Sequence, residues 1–226
     1  MKLLVTGASG LIANRLIRQL LSVGHTVVAI SRHQEPSNDV SSNILRHLTC
    51  DLSDADALSS LDVADVDTVV HCASQQPRSD LSWSNYYQGN VQTVDNVLNW
   101  MPKVGIGRLV FLSTVAFLPF PENEARALDE QSPVYPQNNY ALSKYFAECL
   151  CELRARQNKI NALALRLPSV FLEEQRGGVV DTYYSHATQN PHLELYSEGR
   201  YLRNLIYIDD VLTAIERSIA YLQTAP

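Results

Sequence analysis

At 226 residues, with 46% hydrophobic and 19% charged residues and a formal net charge of −6, the chain has the composition of a globular protein with one main domain and a small appendage. Its lysines and arginines are scattered on an acidic background, which sets aside nucleic-acid binding as a main role. No apolar stretch reaches the roughly 18 to 20 residues that span a bilayer, and the first strand pattern begins at residue 2, too early for a signal peptide, so the expected location is the cytoplasm.

The run Leu3-Leu4-Val5 is too short for a helix and lacks polar alternation, as suits a parallel strand buried on both faces. Gly7 and Gly10 make a tight turn after it, and Leu11, Ile12, Leu16 and Leu20 follow helical spacing. Strand, glycine turn and helix together aim free N–H groups at whatever lies above the strand end, which is a seat for a pyrophosphate. A second strand is expected over residues 26–30, ending at Ser31-Arg32-His33, and a polar loop over 34–43 leads to a third strand over 45–49. Asp51 to Asp54 open a brief helix through Leu61. Residues 68–72 form a fourth strand, 81–101 a long helix, 108–112 a fifth strand, 140–157 a second long helix and 162–167 a sixth strand.

Strands alternating with helices in this way predict an α/β fold, a doubly wound parallel sheet whose ligand crevice lies at the carboxyl ends of the strands. The loop over 115–139 is too long for a plain connector and is expected to border a site. The pattern changes after Phe171: a helix over 179–190, short strands over 193–196 and 201–207, and a last helix from Asp209. Residues 1–171 are therefore assigned to a cofactor-binding domain and 172–226 to a small, shortened substrate-binding part whose final helix packs back on the sheet. Cys50, Cys72, Cys149 and Cys151 form no C-x-x-C pair and read as reduced structural thiols, with no metal site.

Three constellations carry chemistry. The turn reads G-x-x-G-x-x-A from Gly7 to Ala13, one residue wider than the common dinucleotide signature. Tyr140 and Lys144 lie four apart on one helix face, and an ammonium near a phenol favours the phenolate, giving an acid/base usable near neutral pH. Ser113-Thr114 ends the fifth strand, where a hydroxyl is placed to hold the substrate oxygen. Each has a plainer reading: a simple turn, a solvated helix face, a hydroxyl satisfying local backbone.

With Asp51-Leu52, His71-Cys72-Ala73, Asn90-Val91, Leu165 to Pro168 and Arg203 to Val211 added in order, the sequence resembles the extended short-chain dehydrogenase/reductase family, in its NAD(P)-dependent nucleotide-sugar epimerase/dehydratase branch. The resemblance implies a Rossmann sheet, with Thr114 as catalytic hydroxyl, Tyr140 as acid/base and Lys144 lowering the tyrosine pKa while holding the nicotinamide ribose. It places Gly7, Ser9, Gly10, Leu11 and Ile12 at the cofactor phosphates, Asp51 and Leu52 at the adenine, and Cys72, Ala73 and Ser74 along the cofactor. Pro168 and Val170 would flank the nicotinamide, and Asn90 would support a water relay behind the lysine. Arg203 would grip the diphosphate of the substrate, and relatives dimerise through the two long helices. Plainer readings stand beside these: Asp51 as a helix cap, His71 as a packed strand histidine, Arg203 as a surface ion-pair residue and Asp209-Asp210 as a helix start.

Three departures narrow the expectation. The second strand ends in Ser31-Arg32 with no carboxylate for a ribose hydroxyl, which tilts the cofactor from NAD to NADP. Val115-Ala116 stand where the sugar dehydratases of this family carry an Asp-Glu pair, leaving epimerisation or carbonyl reduction. The sequence ends at Pro226, before the further sheet strand usual in the family. The competing reading is a cofactor-binding, catalytically silent regulator or scaffold on the same fold.

Overall fold

The computed structural model describes residues 1–33, 43–119, 127–157, 159–173, 178–189 and 204–224. Six parallel strands form one sheet: β1 (Lys2–Thr6), β2 (Thr26–Ser31), β3 (Leu45–Thr49), β4 (Thr68–His71), β5 (Arg108–Thr114) and β6 (Asn161–Leu167), in the order β3-β2-β1-β4-β5-β6. The order reverses at β1, so the ends of β1 and β4 flank the switch point where a doubly wound sheet holds its ligand. The doubly wound sheet expected from the alternation is the one observed.

Strand residues alternate between two cores, as the period of two requires. Leu3, Val5, Val27, Ala29, Val110 and Leu112 face α1 (Leu11–Ser22) and α7 (Ile208–Thr224). Leu4, Val28, Ile30, Leu109 and Phe111 face the helices on the other side, α2 (Ala55–Ser59), α4 (Thr93–Trp100) and α5 (Asn139–Arg156). Burial on both faces explains why these strands read as unbroken apolar runs. Asp209 and Asp210 occupy the first turn of α7, where carboxylates complement the helix dipole.

The helix expected over 81–101 is broken into pieces: α3 (Trp83–Tyr86), a π-helical turn (Tyr87–Gln92), α4, and a 3-10 turn (Met101–Val104). The π turn holds Gly89, whose added Cβ would lie 2.8 Å from the Gln75 Cβ, so the bulge admits the segment that follows β4. The brief second helix is shorter than expected, and Asp54 rather than Asp51 caps it, accepting from Asp56 and Ala57 N–H at 3.0 Å each. Past Pro168 the chain forms β7 (Ser169–Phe171), paired in parallel with β8 (Leu205–Tyr207), a small second sheet not foreseen. α6 is Val179–Gln189. The strand expected over 193–196, most of the loop over 34–43 and the first part of the strand over 201–207 lie outside the described residues. All four cysteines are unpaired.

Candidate active site

The turn after β1 is built as a cradle. Gly7 sits at φ +67°, and a Cβ there would stand 2.7 Å from both the N and Cα of Ala73, so the segment after β4 lies directly against it. Gly10 donates to the Gly7 carbonyl at 2.8 Å and caps α1 without a side chain, and no acidic residue lies in the first helical turn. The first amides of α1, at Leu11 and Ile12 beside exposed Ser9 and Gly10, therefore face outward uncovered by any cap at the sheet's switch point. Those residues fit the diphosphate of a dinucleotide, and no carboxylate of that turn opposes it.

Below the cradle the strands are pinned by polar contacts. The Thr6 hydroxyl lies 3.1 Å from His71 Nδ1 and accepts from Ala73 N–H at 3.3 Å. His71 is buried against the Phe111 ring with no partner for Nε2 among the described residues. Burial, reinforced by the Lys144 charge, pushes its imidazole down to about 3, so it is a neutral packing residue rather than a catalyst. The linkage follows in sign: the unfolded chain takes up this proton below about pH 6.5 and the folded one does not. The His71 contribution is complete above that pH and is lost as the pH falls towards 3, at up to about 1.4 kcal/mol per unit. We expect the His71 ring resonance to show no titration between pH 8 and 4.5 in the native chain, and a titration near pH 6 would refute the assignment.

Thr114 and Tyr140 meet at the carboxyl end of β5. Burial pushes the Tyr140 phenol up, and a hydrogen bond from the Thr114 side chain offsets part of that, with Tyr86 acting in the same direction as burial. Thr114 is fixed in turn by Ala116 N–H at 3.2 Å, in a 3-10 turn (Val115–Phe117). Asn138 caps α5 just ahead of the tyrosine by accepting from Ala141 N–H at 2.9 Å.

Lys144 departs from the expectation. Its ammonium does not reach towards the phenol but donates to the Leu112 carbonyl at 2.6 Å and lies 4.3 Å over the Phe111 ring. Burial lowers its pKa to about 8, which still leaves it mainly charged at neutral pH. Accordingly the phenol is raised, not lowered, in this structure: Lys144 faces inward, away from it.

Asn90 also differs from the relay expected of it. Its Oδ1 accepts from Gln75 N–H at 2.6 Å and from the Ser74 hydroxyl at 3.1 Å, while Nδ2 donates to the Gln75 carbonyl at 3.2 Å and to Ser143 Oγ at 2.8 Å. Ser143 donates to the Tyr140 carbonyl at 2.8 Å. A buried amide thus ties the segment after β4 to the first turn of α5, with all of its hydrogen-bonding capacity used.

A second network went unread in the sequence. Glu148, one turn beyond Lys144, accepts from Ser113 Oγ at 2.6 Å and from Arg166 Nε and Nη2 at 2.9 and 2.6 Å. One carboxylate therefore joins β5 beside Thr114, α5 beside Lys144, and β6 two residues before Pro168. Its spacing of four from Lys144 was the available signal.

Pro77, Arg78, Ser79, Leu81, Tyr86, Asn138, Asn139 and Tyr140 line a cavity of about 340 Å³, a size that takes one small ligand. Tyr86 sits edge-on to Tyr140 with centroids 6.3 Å apart, and its hydroxyl accepts from Arg78 N–H at 2.9 Å and donates to the Arg78 carbonyl at 3.0 Å.

The remaining predicted residues lie at the rim. Ser31 is buried and donates to the His33 carbonyl at 2.6 Å, whereas Arg32 is exposed. Asp51 accepts from Ser53 N–H and Oγ, and that backbone contact, aided by the Ser53 hydroxyl and the Arg32 charge, holds its carboxyl below the usual range. Leu52 is buried beside it, and burial pushes the Cys72 thiol up to about 12. Ala73 lies against Gly7, and Val170 is half-buried in β7, just past Pro168. Arg203 lies outside the described residues. No group of three or more His, Cys, Asp or Glu side chains able to hold a metal ion occurs among the described residues.

Comparison with known proteins agrees with this geometry. Residues 3–225 match the model of the NAD dependent epimerase/dehydratase family. The chain is 27% identical over 228 residues to dTDP-4-dehydro-6-deoxy-D-allose reductase of Streptomyces bikiniensis, covering 93% of this chain and 70% of that protein. It is 30% identical over 229 residues to 2-alkyl-3-oxoalkanoate reductase of Stenotrophomonas maltophilia, covering 100% of this chain and 67% of that one. Among solved structures, dTDP-glucose 4,6-dehydratase from Streptomyces venezuelae, with NAD bound, superposes at a TM-score of 0.81 with 25% identity, covering 95% of this chain and 70% of that one.

Proposed function

The chain belongs to the NAD dependent epimerase/dehydratase family, and from that premise we propose that it is a nicotinamide-dependent reductase or epimerase acting on a nucleotide-linked sugar. The observation that carries this reading is the Tyr140 phenol, lining a cavity of ligand size at the end of the strand that carries Thr114. When bound, the nicotinamide supplies or accepts the hydride. The chain's own residues do the rest. Thr114 holds the substrate oxygen, and Tyr140, kept protonated by burial, gives that oxygen its proton in the reducing direction. Lys144, which here donates to the Leu112 carbonyl, would hold the ribose. Gly7, Ser9, Gly10, Leu11 and Ile12 seat the diphosphate, Asp51 and Leu52 the adenosine, and Cys72, Ala73, Ser74, Asn90, Pro168 and Val170 border the cofactor. Arg203 remains the proposed contact for the substrate diphosphate. Residues 1–171 form the cofactor domain in this reading, α7 packs back on its sheet, and the rest of 172–226 serves the substrate.

Val115 and Ala116 follow Thr114 in a 3-10 turn and carry no acid or base for eliminating water, which supports reduction or epimerisation over dehydration. The inward Lys144 favours a second reading, a cofactor-binding scaffold without turnover. Oxidation of the reduced cofactor on adding 4-keto nucleotide sugars tests the two: turnover supports the enzyme, and cofactor binding with no turnover across a panel supports the scaffold.

The cofactor is proposed to be NADP. Arg32 is an exposed cation at the end of β2, and no carboxylate stands at residues 31–33 to repel a 2′-phosphate. A charge-assisted contact of about 1.5–3 kcal/mol predicts NADPH binding roughly tenfold or more tighter than NADH. Arg32→Ala should erase that difference, and tighter binding of NADH by the unaltered chain would overturn it.

No helix among the described residues is long and apolar enough to cross a membrane, and a cytoplasmic location is proposed. The homodimer is proposed to form across α3 and α5, where Trp83 packs edge-on against Phe146 at 5.9 Å and Phe146 remains 42% exposed.

A further inference from the structure

Residues 72–82 cross from β4 to α3 with no regular helix or strand, and they border both halves of the site. Ala73 lies against the cradle at Gly7, while Pro77, Arg78, Ser79 and Leu81 line the cavity that Tyr140 lines from α5. An irregular segment has no ladder to satisfy its main chain, so its shape depends on what takes those hydrogen bonds.

Two buried side chains, four residues apart in the sequence, take them in the same manner. Asn90 accepts from Gln75 N–H at 2.6 Å and donates to the Gln75 carbonyl at 3.2 Å. Tyr86 accepts from Arg78 N–H at 2.9 Å and donates to the Arg78 carbonyl at 3.0 Å. Each satisfies the donor and the acceptor of a single residue, as a facing strand does in a hydrogen-bonded pair. Both also end on Tyr140. Asn90 reaches it through Ser143, which donates to the Tyr140 carbonyl at 2.8 Å, and Tyr86 through its ring, edge-on to the Tyr140 ring with centroids 6.3 Å apart.

The two grips divide the segment between them. Gln75 follows Ala73 by two residues, on the side of the cradle, whereas Arg78 stands among the residues of the cavity. A phenol has one proton to donate, and Tyr86 commits it, together with its acceptor, to Arg78. No other hydrogen bond holds the Arg78 main chain among the described residues.

We propose that Tyr86 is a positioning residue for the substrate: its hydroxyl holds one wall of the cavity in register with Tyr140, so that the substrate meets a wall already formed. The inference rests on the reading of Tyr140 as the reacting centre. A wall without this hold must be ordered by the substrate itself, and that ordering is subtracted from binding.

Tyr86→Phe tests the role, because it keeps the ring and removes both hydrogen bonds. In the NADPH-loaded chain, exchange of the Arg78 amide is expected to quicken by about tenfold or more, the scale of two ordinary hydrogen bonds. The Gln75 amide, held by Asn90, should exchange as before. With NADPH and a dTDP-linked 4-keto hexose, the KM for the sugar should rise about tenfold while the KM for NADPH stays within about twofold. A smaller folded fraction would instead lower kcat and leave both KM values in place. Unchanged exchange at Arg78 would overturn the grip. Faster exchange with an unchanged sugar KM, or a rise in KM shared by NADPH, would overturn the positioning role. An unaltered chain that binds NADPH yet reduces no 4-keto nucleotide sugar would overturn the reading of Tyr140 and this proposal with it, a result distinct from failure in the Tyr86 variant alone.

Discussion

Gly7→Ala is expected to lower the melting temperature by roughly 6–12 °C and to abolish measurable cofactor binding. The left-handed backbone at φ +67° alone costs an alanine about 1–2 kcal/mol. Its methyl would also sit 2.7 Å from the N and Cα of Ala73 and 3.1 Å from the carbonyl carbon of Cys72. Those are main-chain atoms and have little room to retreat: Ala73 N–H is held by Thr6 Oγ1, and β4 is locked in register between β1 and β5. A combined loss of about 3 kcal/mol is a large share of the 5–15 kcal/mol that holds a domain folded. Gly10→Ala supplies the contrast. Gly10 has ordinary extended geometry, and its added Cβ meets only the Gly7 carbonyl at 3.1 Å. That variant should melt within a few degrees of the unaltered chain yet bind dinucleotide more weakly, because its methyl rises where the diphosphate would lie. Thermal shift and equilibrium titration together separate the two. A Gly7→Ala chain of unchanged melting temperature would contradict the packing described.

Tyr140→Phe should cost at least about a hundredfold in turnover, the lower end of what a positioned acid contributes. Cofactor affinity should stay within a few-fold, since the ring and its edge-on contact with Tyr86 are retained. The melting temperature should move little, because the ring that packs against Tyr86 is kept. The pH profile gives a further check. Burial raises the phenol, so in the reducing direction it stays protonated through neutral pH, and the rate should not fall as the pH is lowered through neutrality. A profile that falls on the acid side of neutrality would point to another proton donor, and undiminished turnover of the phenylalanine variant would remove Tyr140 from the chemistry.

The sheet and its switch point were legible because their signals are local: an apolar run, two glycines, then helical spacing from Leu11. The Thr114 and Tyr140 pair was legible for a similar reason, each lying at a strand or helix end that periodicity locates. What the sequence concealed depends on long-range packing. Whether Lys144 reaches its neighbour Tyr140 or the Leu112 carbonyl is a choice of side-chain rotamer, invisible in a spacing of four. The Tyr86 grip on Arg78 joins residues whose local pattern shows only a loop and a helix start. The π turn at Gly89 and Asn90 arises because Gln75 must be admitted, a demand from another element. β7 is three residues long, too short for alternation to register, whereas the strand expected over 201–207 contains β8. Asp51 and Asp54 both precede the second helix, and only the fold shows that Asp54 caps it while Asp51 is spent on Ser53.

The placement of α7 bears on how the chain is made. Ile208, Val211, Leu212, Ile215, Ile219 and Leu222 share one core with Leu3 and Val5 of the first strand and with Leu16 and Leu20 of the first helix, and Arg108 Nε donates to the Leu222 carbonyl at 3.0 Å. That face of the sheet cannot be sealed while the nascent chain is shorter than these residues. Closure of that face joins the two ends of the described chain, which makes it a non-local and slow step in folding, with an apolar flank open until it is complete.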